Sequence, residues 1–216
     1  MGVLGKERAL RVDTALNVIL LAVEAWALVR RFLELQFGMF QFYTQCSNAL
    51  AALAALLCIV ANLRGAGAER AHGLKHWACC TQLMTFVVVL LVLMPAVYAI
   101  GGDGFREMFI VANRPITHFL GPLLTFVSYV FYEADPLPTK RDSLVALLPT
   151  LLYAIVAYTC NILRVFEGPY PFFYVWRMPV WQSVLWFLVL LVVAWLLAQL
   201  PRLAAARVTQ EPKALR

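Results

Sequence analysis

Charged residues are scarce in this chain. Lys, Arg, Asp and Glu make up 14% of its 216 residues, and hydrophobic residues make up 62%. Soluble domains carry about 25% charged and about 45–50% apolar residues, so the composition excludes an ordinary water-soluble fold. The length allows about six membrane spans of roughly 20 residues with short connections. We therefore predict an integral membrane protein with no separate catalytic, nucleotide-binding or nucleic-acid-binding domain.

Several motifs that define common activities are also missing. The sequence has no Gly-x-Ser-x-Gly elbow and no His-Glu-x-x-His helix, which excludes the usual serine hydrolase and metalloprotease templates. Lysines at Lys6, Lys75, Lys140 and Lys213 lie outside the predicted spans, so a retinal Schiff base is not expected. Bis-histidine haem ligation needs two buried histidines, and His118 alone lies within an apolar span. The five cysteines lie mostly in apolar stretches, which makes a disulfide framework improbable.

Apolar runs bounded by charges predict an all-α fold: one domain over 1–216, with six transmembrane helices in one bundle. The spans are predicted near 14–29, 40–63, 76–100, 113–132, 143–163 and 180–200. Twelve Lys and Arg residues lie at the termini and the even-numbered loops, against six in the other loops. This distribution predicts that both termini are cytoplasmic. The Arg- and Ala-rich composition favours a bacterial source and hence the inner membrane.

The second predicted span begins with a polar stripe. Gln41, Thr44, Gln45 and Asn48 follow a spacing of three and four residues, so they share one helix face. Such side chains are costly in hydrocarbon, and the stripe is expected to face the bundle interior. Hydrogen bonding to neighbouring helices is the structural alternative to a functional site.

The fourth predicted span carries a second polar group, with Thr117 and His118 followed by Pro122. Pro122 has no N–H, so it leaves the carbonyl of His118 without its usual helical partner. Under the predicted topology, Thr44 and His118 both lie about 6–7 Å below the outer ends of their spans. We expect them to meet in a small polar cavity in the outer half of the bilayer, although a buried histidine can also serve packing alone.

A threonine and a neutral histidine in such a cavity can carry out nucleophilic chemistry. The imidazole takes the hydroxyl proton as Thr44 attacks an ester carbonyl, and a water then releases the acyl group. The amides of Gln45 and Asn48 are candidate donors to the oxyanion or the substrate. Thr117, beside His118, is a candidate supporting residue.

Three motifs resemble the androgen-induced membrane protein family. They are the segment from Tyr43 to Asn48, Thr117-His118 with Pro122, and Pro169-Tyr170-Pro171-Phe172. Members of that family are six-span hydrolases of fatty acid esters of hydroxy fatty acids that use a threonine and a histidine. The resemblance implies that Thr44 is the nucleophile, that His118 is its base, and that the chain belongs to the family's bacterial branch.

Other polar residues have two interpretations each. Glu24 lies near the middle of the first span, where it either orients His118 or forms a structural pair. Asn161 and Arg164 end the fifth span, and Arg164 either holds a lipid carboxylate or phosphate or anchors the helix at the interface. The aromatic segment 167–177 is predicted to be an interfacial or re-entrant lid.

The sequence thus favours an intramembrane hydrolase of a lipid ester that needs no metal and no cofactor. The bilayer and an acyl-ester substrate are the expected partners, nucleic acid is not, and the oligomeric state stays open. A transporter or lipid-binding protein that uses the same cavity without catalysis is the alternative, and a structural scaffold is a third interpretation. A zinc site at His72, His76, Cys79 and Cys80 is disfavoured, because only Glu69 supplies a nearby carboxylate.

Overall fold

The protein is an all-α membrane protein. A computed structural model describes residues 3–214, of which 83% are helical and none lies in a strand. Five helices are long and apolar enough to cross a membrane by length and composition: Gly5–Gln41, Tyr43–Arg64, Ala68–Ala99, Lys140–Ile162 and Val180–Thr209.

Nine α-helices occur within residues 3–214, and short 3₁₀ or π segments join or extend several of them. The α-helices are α1 (Val3–Leu35), α2 (Tyr43–Arg64), α3 (Ala68–Val88), α4 (Met94–Ala99), α5 (Gly104–Phe109), α6 (Gly121–Ser128), α7 (Lys140–Val145), α8 (Leu148–Ile162) and α9 (Val180–Ala214). The 3₁₀ turns are Gln36–Gln41 and Pro171–Phe173, and the π segments are Val89–Leu93, Ile116–Leu120 and Tyr129–Glu133.

The helical stretch over 114–133 has a composition unlike that of the five long helices. It consists of α6 with a π segment at each end. Its polar residues, among them Thr117, His118 and Glu133, are buried, and the stretch packs against α1 and α3. The other face of the stretch is exposed and carries Phe119, Leu123 and Phe131, so the polar groups lie on the face where neighbouring helices can supply their partners.

Helix α3 corrects the predicted boundary of the third span. The helix begins at Ala68 rather than near His76, and Lys75 is fully buried instead of lying outside the bundle. The ammonium group of Lys75 is 3.2 Å from a carboxylate oxygen of Glu133, and it donates to the side-chain oxygen of Asn17. A charged residue looked like a span boundary in the sequence, but a long-range ion pair places it in the interior.

The pair between Lys75 and Glu133 belongs to a polar cluster at one end of the bundle. The amide of Asn17 donates to Glu133 over 2.6 Å and to Asp13 over 3.0 Å. Asn62, near the end of α2, donates to the other carboxylate oxygen of Asp13 over 2.7 Å. These bonds tie α1, α2, α3 and the end of the 114–133 stretch together without relying on apolar contact.

Gly121, at the start of α6, allows the site-bearing helix to approach α1 closely. A methyl group at Gly121 would collide with the carboxylate of Glu24. We expect Gly121→Ala to lower the free energy of unfolding by about 1–3 kcal/mol through overpacking. Thermal unfolding of the purified protein in detergent measures this loss.

Gly73 provides the matched control for this prediction. It lies inside α3, and no heavy atom lies within 4 Å of the methyl group that alanine would add. Gly73→Ala is expected to stabilise the protein by about 0.5–1 kcal/mol, because alanine restricts the unfolded chain. Equal melting temperatures for the two variants would contradict the proposed close contact.

Candidate active site

Thr44 and His118 line one cavity of about 480 Å³. Thr44 is the second residue of α2, and His118 lies in the π segment that leads into α6. Both side chains are buried, with 7% and 9% of their surface exposed. The structure thus brings the hydroxyl and the imidazole to a shared space, although the His118 ring hydrogen-bonds to a backbone carbonyl rather than to Thr44.

That backbone contact determines the tautomer of His118. Its Nδ1 atom is 2.7 Å from the carbonyl oxygen of Met108, which lies in the last turn of the short helix α5. A carbonyl oxygen only accepts hydrogen bonds, so Nδ1 carries the proton. In the neutral ring, Nε2 is then the lone-pair nitrogen, which is the form that a general base requires.

Glu24 has a different partner from the one that the sequence allowed for. Its carboxylate accepts a hydrogen bond of 3.2 Å from the amide of Gln82. The same amide donates to Asn48 over 2.8 Å. The carbonyl of Met108 therefore orients His118, and Glu24 belongs to a buried polar layer that joins α1, α2 and α3. Of the two interpretations of Glu24, the structure contains the structural pair, with Gln82 as the partner.

The two candidate amides of α2 separate in the structure. Gln45 lines the cavity together with Thr44 and His118. Asn48 is one turn further along the helix, fully buried, with its side-chain oxygen bonded to Gln82. Gln45 is thus available to a ligand in the cavity, whereas Asn48 holds the helices together.

The first turn of α2 supplies hydrogen-bond donors close to the Thr44 hydroxyl. The residue before the helix, Phe42, provides no side-chain cap for the free backbone N–H groups. The positive end of the helix dipole lies at the same place, which favours negative charge there. A nucleophile at this position therefore has oxyanion donors within its own turn.

Tyr170 is a site residue that sequence reasoning did not assign. Burial raises the pKa of the Tyr170 phenol to about 12, and the hydroxyl of Thr44 and the backbone N–H groups of Thr44 and Tyr43 act against that rise. Tyr170 lines the polar cavity and also an adjoining apolar space together with Thr44. The Pro-Tyr-Pro-Phe motif was the available signal, but only the fold shows that Tyr170 and Thr44 line the same cavities.

The aromatic segment around Tyr170 packs into the protein rather than along the interface. Tyr170, Phe172 and Phe173 are all at least nine-tenths buried. Asn161 fixes this segment, because its amide donates to the carbonyl of Gly168 and its side-chain oxygen accepts from the Gly168 N–H, both over 2.8 Å. Of the two predicted forms of the segment, interfacial or re-entrant, the burial of these three side chains agrees with the re-entrant one, and Tyr170 lines the cavity.

Arg164 takes part in the same loop. Its guanidinium stacks over the ring of Trp176 at 4.3 Å from the centroid. Neither Arg164 nor Asn161 is among the residues that line the cavity of Thr44. The structure gives them loop-fixing contacts, whereas the sequence had offered Arg164 as a candidate ligand for a lipid carboxylate.

Two other arginines, Arg31 and Arg114, line the cavity instead. Arg31 pairs with Glu34 over 2.7 Å, and Arg114 pairs with Glu107 over 2.6 Å. Thr117 also lines the cavity. Sequence reasoning treated both arginines only as topology signals, because no local pattern indicates that residues from α1 and from the stretch before His118 face the same space.

An apolar cavity adjoins Thr44 on its other side. Thr44 and Tyr170 line a narrow space of about 50 Å³, whose remaining wall is mostly apolar and aromatic. Tyr158 and Phe187 line this space and also a groove of about 550 Å³ between α8 and α9. Thr44 thus lies at the boundary between a polar cavity and a series of apolar spaces.

No group of three or more His, Cys, Asp or Glu side chains within residues 3–214 is placed to hold a metal ion. Near the disfavoured zinc residues, His76 stacks on the ring of Tyr129 at 5.2 Å, and Cys79 and Cys80 are buried as free thiols. The chain matches no protein-family model, and it matches no curated protein and no solved structure.

Proposed function

We propose that this protein is an intramembrane hydrolase of lipid esters, with Thr44 as the nucleophile and His118 as the general base. One observation carries the proposal: Thr44 lies between an apolar space and a polar cavity that also contains His118. An ester bond at this boundary would have an acyl chain on one side and a polar arm on the other. The resemblance to the androgen-induced membrane protein family supports the same activity, and membership of that family is part of the proposal.

Acylation begins when Nε2 of His118 takes the proton of the Thr44 hydroxyl as its oxygen attacks the ester carbonyl carbon. The hydrogen bond from Nδ1 to the carbonyl of Met108 holds the ring in the tautomer that this step needs. The carbonyl oxygen becomes an oxyanion, to which the phenol of Tyr170 and the N–H groups of the first turn of α2 donate. Collapse of the intermediate breaks the bond to the alcohol oxygen, which leaves with the proton from His118.

Deacylation repeats these steps with water. His118 removes a proton from a water molecule in the polar cavity, and the resulting oxygen nucleophile attacks the acyl carbon on Thr44. The bond from the acyl carbon to the threonine oxygen breaks, and the proton returns to that oxygen. The products are a fatty acid and an alcohol, and Thr44 is restored.

The lining residues favour an ester with a long acyl chain and an anionic second arm. The groove between α8 and α9 and the narrow space behind Tyr158 are lined mainly by apolar side chains. Arg31 and Arg114 lie on the polar side, where a carboxylate could form charge-assisted hydrogen bonds. Fatty acid esters of hydroxy fatty acids have this form.

The membrane arrangement completes the proposal. The stretch over 114–133 would be a sixth span, with Thr117, His118 and Glu133 turned toward its neighbours and Phe119, Leu123 and Phe131 turned toward lipid. Both termini would be cytoplasmic, and the cavity of Thr44 would lie in the outer half of a bacterial inner membrane. Substrate would then enter sideways from the outer leaflet.

A fluorophosphonate probe and a chromogenic ester test the proposal on the full chain in detergent. We expect the ester to be hydrolysed and the probe to label the Thr44 oxygen, identified by mass spectrometry of the labelled peptide. Thr44→Ala should abolish labelling, and Thr44→Ser should retain it because the hydroxyl remains. Thr81→Ala is the matched control, since Thr81 is a buried threonine that bonds only to the carbonyl of Ala78.

Equal labelling of the wild type and Thr44→Ala would contradict the hydrolase assignment. A lipid-binding protein or transporter would bind the ester without cleaving it. In that case the intact ester would be recovered after incubation, and the same two cavities would serve as a binding site.

A further inference from the structure

A second polar cavity lies at the opposite end of the bundle from Thr44. Helix α2 extends for about 33 Å from its first residue, so α3, which follows it, begins far from Thr44. The first two turns of α3 and parts of the segment 129–145 enclose about 220 Å³ there. None of the residues proposed for ester hydrolysis lines this cavity.

The walls of this cavity are acidic. Glu69, Glu133, Asp135 and Asp142 all line it, and its described lining residues include no lysine or arginine. His72 and His76 also line the cavity, together with the aromatic side chains of Trp77 and Tyr129. A cation would meet favourable charge in this space, whereas an anion would be repelled.

Two lining side chains carry buried polar atoms without a partner. His76 and Glu133 are 3% and 0% exposed. Within residues 3–214, neither Nε2 of His76 nor Oε2 of Glu133 has a hydrogen-bond partner. The other oxygen of Glu133 is already engaged by Asn17 and Lys75.

Unpaired atoms of this kind are expensive to keep in an interior. A buried donor or acceptor left without a partner costs about 1–3 kcal/mol, and a charged one costs more. Two such atoms on the wall of one acidic cavity therefore indicate a ligand that completes their hydrogen bonds.

We propose that this cavity binds a small organic ammonium cation, with Glu133 and His76 as its buried contacts. A metal ion is disfavoured, because no three His, Cys, Asp or Glu side chains of the described chain are placed to ligate one. A primary ammonium group instead donates up to three hydrogen bonds, and the unpartnered atoms of Glu133 and His76 are acceptors for them. The cation is either a free amine or the headgroup of a phospholipid.

Isothermal titration of the full chain in detergent with ethanolamine, a primary ammonium ion at neutral pH, tests this binding. The matched control ligand is propan-1-ol, which has a methyl group in place of the ammonium group. We expect ethanolamine to bind at least tenfold more tightly than the neutral alcohol. Equal affinity of the two compounds, or no binding of ethanolamine, would overturn the proposal.

Nanodiscs separate the two sources of the cation. If lipid headgroups occupy the site, ethanolamine will bind more weakly in nanodiscs of phosphatidylethanolamine than in nanodiscs of phosphatidylglycerol. If the ligand is a free amine, ethanolamine will bind equally well in both. Either result supports an ammonium site, and the comparison of the two nanodiscs shows whether the cation comes from a lipid headgroup or from a free amine.

Variants of the acidic residues test the contacts. Glu133→Gln should weaken ethanolamine binding at least tenfold, and Glu69→Gln, at the exposed rim, should weaken it severalfold. Glu7→Gln, on an exposed glutamate of α1, is the control and should leave the affinity unchanged. Wild-type affinity in a folded Glu133→Gln variant would sink the proposal; if that variant fails to fold, wild-type affinity in Glu69→Gln would do so.

Discussion

Replacing His118 with glutamine is expected to lower kcat for ester hydrolysis by about 10²–10⁴-fold, the usual contribution of a general base. Glutamine preserves much of the side-chain volume but cannot take a proton from Thr44. Because the two residues act in one step, the double variant with Thr44→Ala should be little slower than the slower single variant. Steady-state kinetics with a chromogenic ester measure both effects.

His72→Gln is the matched control for this substitution. His72 also bonds to a backbone carbonyl through Nδ1, at 3.2 Å from Asp135, but it lies at the other end of the bundle. Its replacement should leave kcat within about twofold of the wild type. Comparable losses in the two variants would mean that the change acts on folding rather than on the base.

Replacing Lys75 with methionine is expected to destabilise the protein by about 3–5 kcal/mol, because it leaves Glu133 as a buried charge without its counter-ion. Both side chains are fully buried and their charged atoms are 3.2 Å apart. Unfolding in detergent, followed by tryptophan fluorescence, provides the measurement. The double variant Lys75→Met/Glu133→Gln should recover most of the loss, since it removes both charges.

An exposed ion pair supplies the comparison for Lys75. Arg11 and Glu7 are 2.7 Å apart on the surface of α1, with more than half of each side chain exposed. Arg11→Met should change the free energy of unfolding by less than about 1 kcal/mol. If Lys75→Met were as mild as Arg11→Met, the buried pair would carry no structural role.

The site shows which features a sequence can predict. Helical spacing placed Thr44, Gln45 and Asn48 on one buried face of α2, and such spacing is a local property of the chain. The prediction was wrong for Gln41, which is exposed in the 3₁₀ turn before α2, because the extended backbone of Phe42 interrupts the helix. Whether a member of the face reaches a cavity depends on its neighbours: Thr44 and Gln45 line the cavity with His118, and Asn48 does not.

The contacts that orient the site were not predictable from residue type. The partner of His118 is the backbone carbonyl of Met108. Every residue carries a backbone carbonyl, so residue type gives no sign of which one the imidazole will contact. Tyr170 lines the cavity of Thr44, and Asn161 fixes the loop that carries Tyr170 through its bonds to Gly168. Long-range contacts of this kind leave no periodic signal in the sequence.

Composition alone determined that this protein is a helical membrane protein, because a chain with so little charge can satisfy its backbone in lipid only through helices or a closed barrel, and its apolar runs have helical length. Periodicity further selected the polar faces that must turn inward. The tertiary structure alone decided which polar groups pair: it buried Lys75 against Glu133, took Glu24 and Asn48 into a structural layer, and placed Thr44 and His118 on the wall of one cavity. The physical reason is that the cost of burying a polar group follows from local surroundings, whereas the partner that offsets this cost comes from a distant part of the chain.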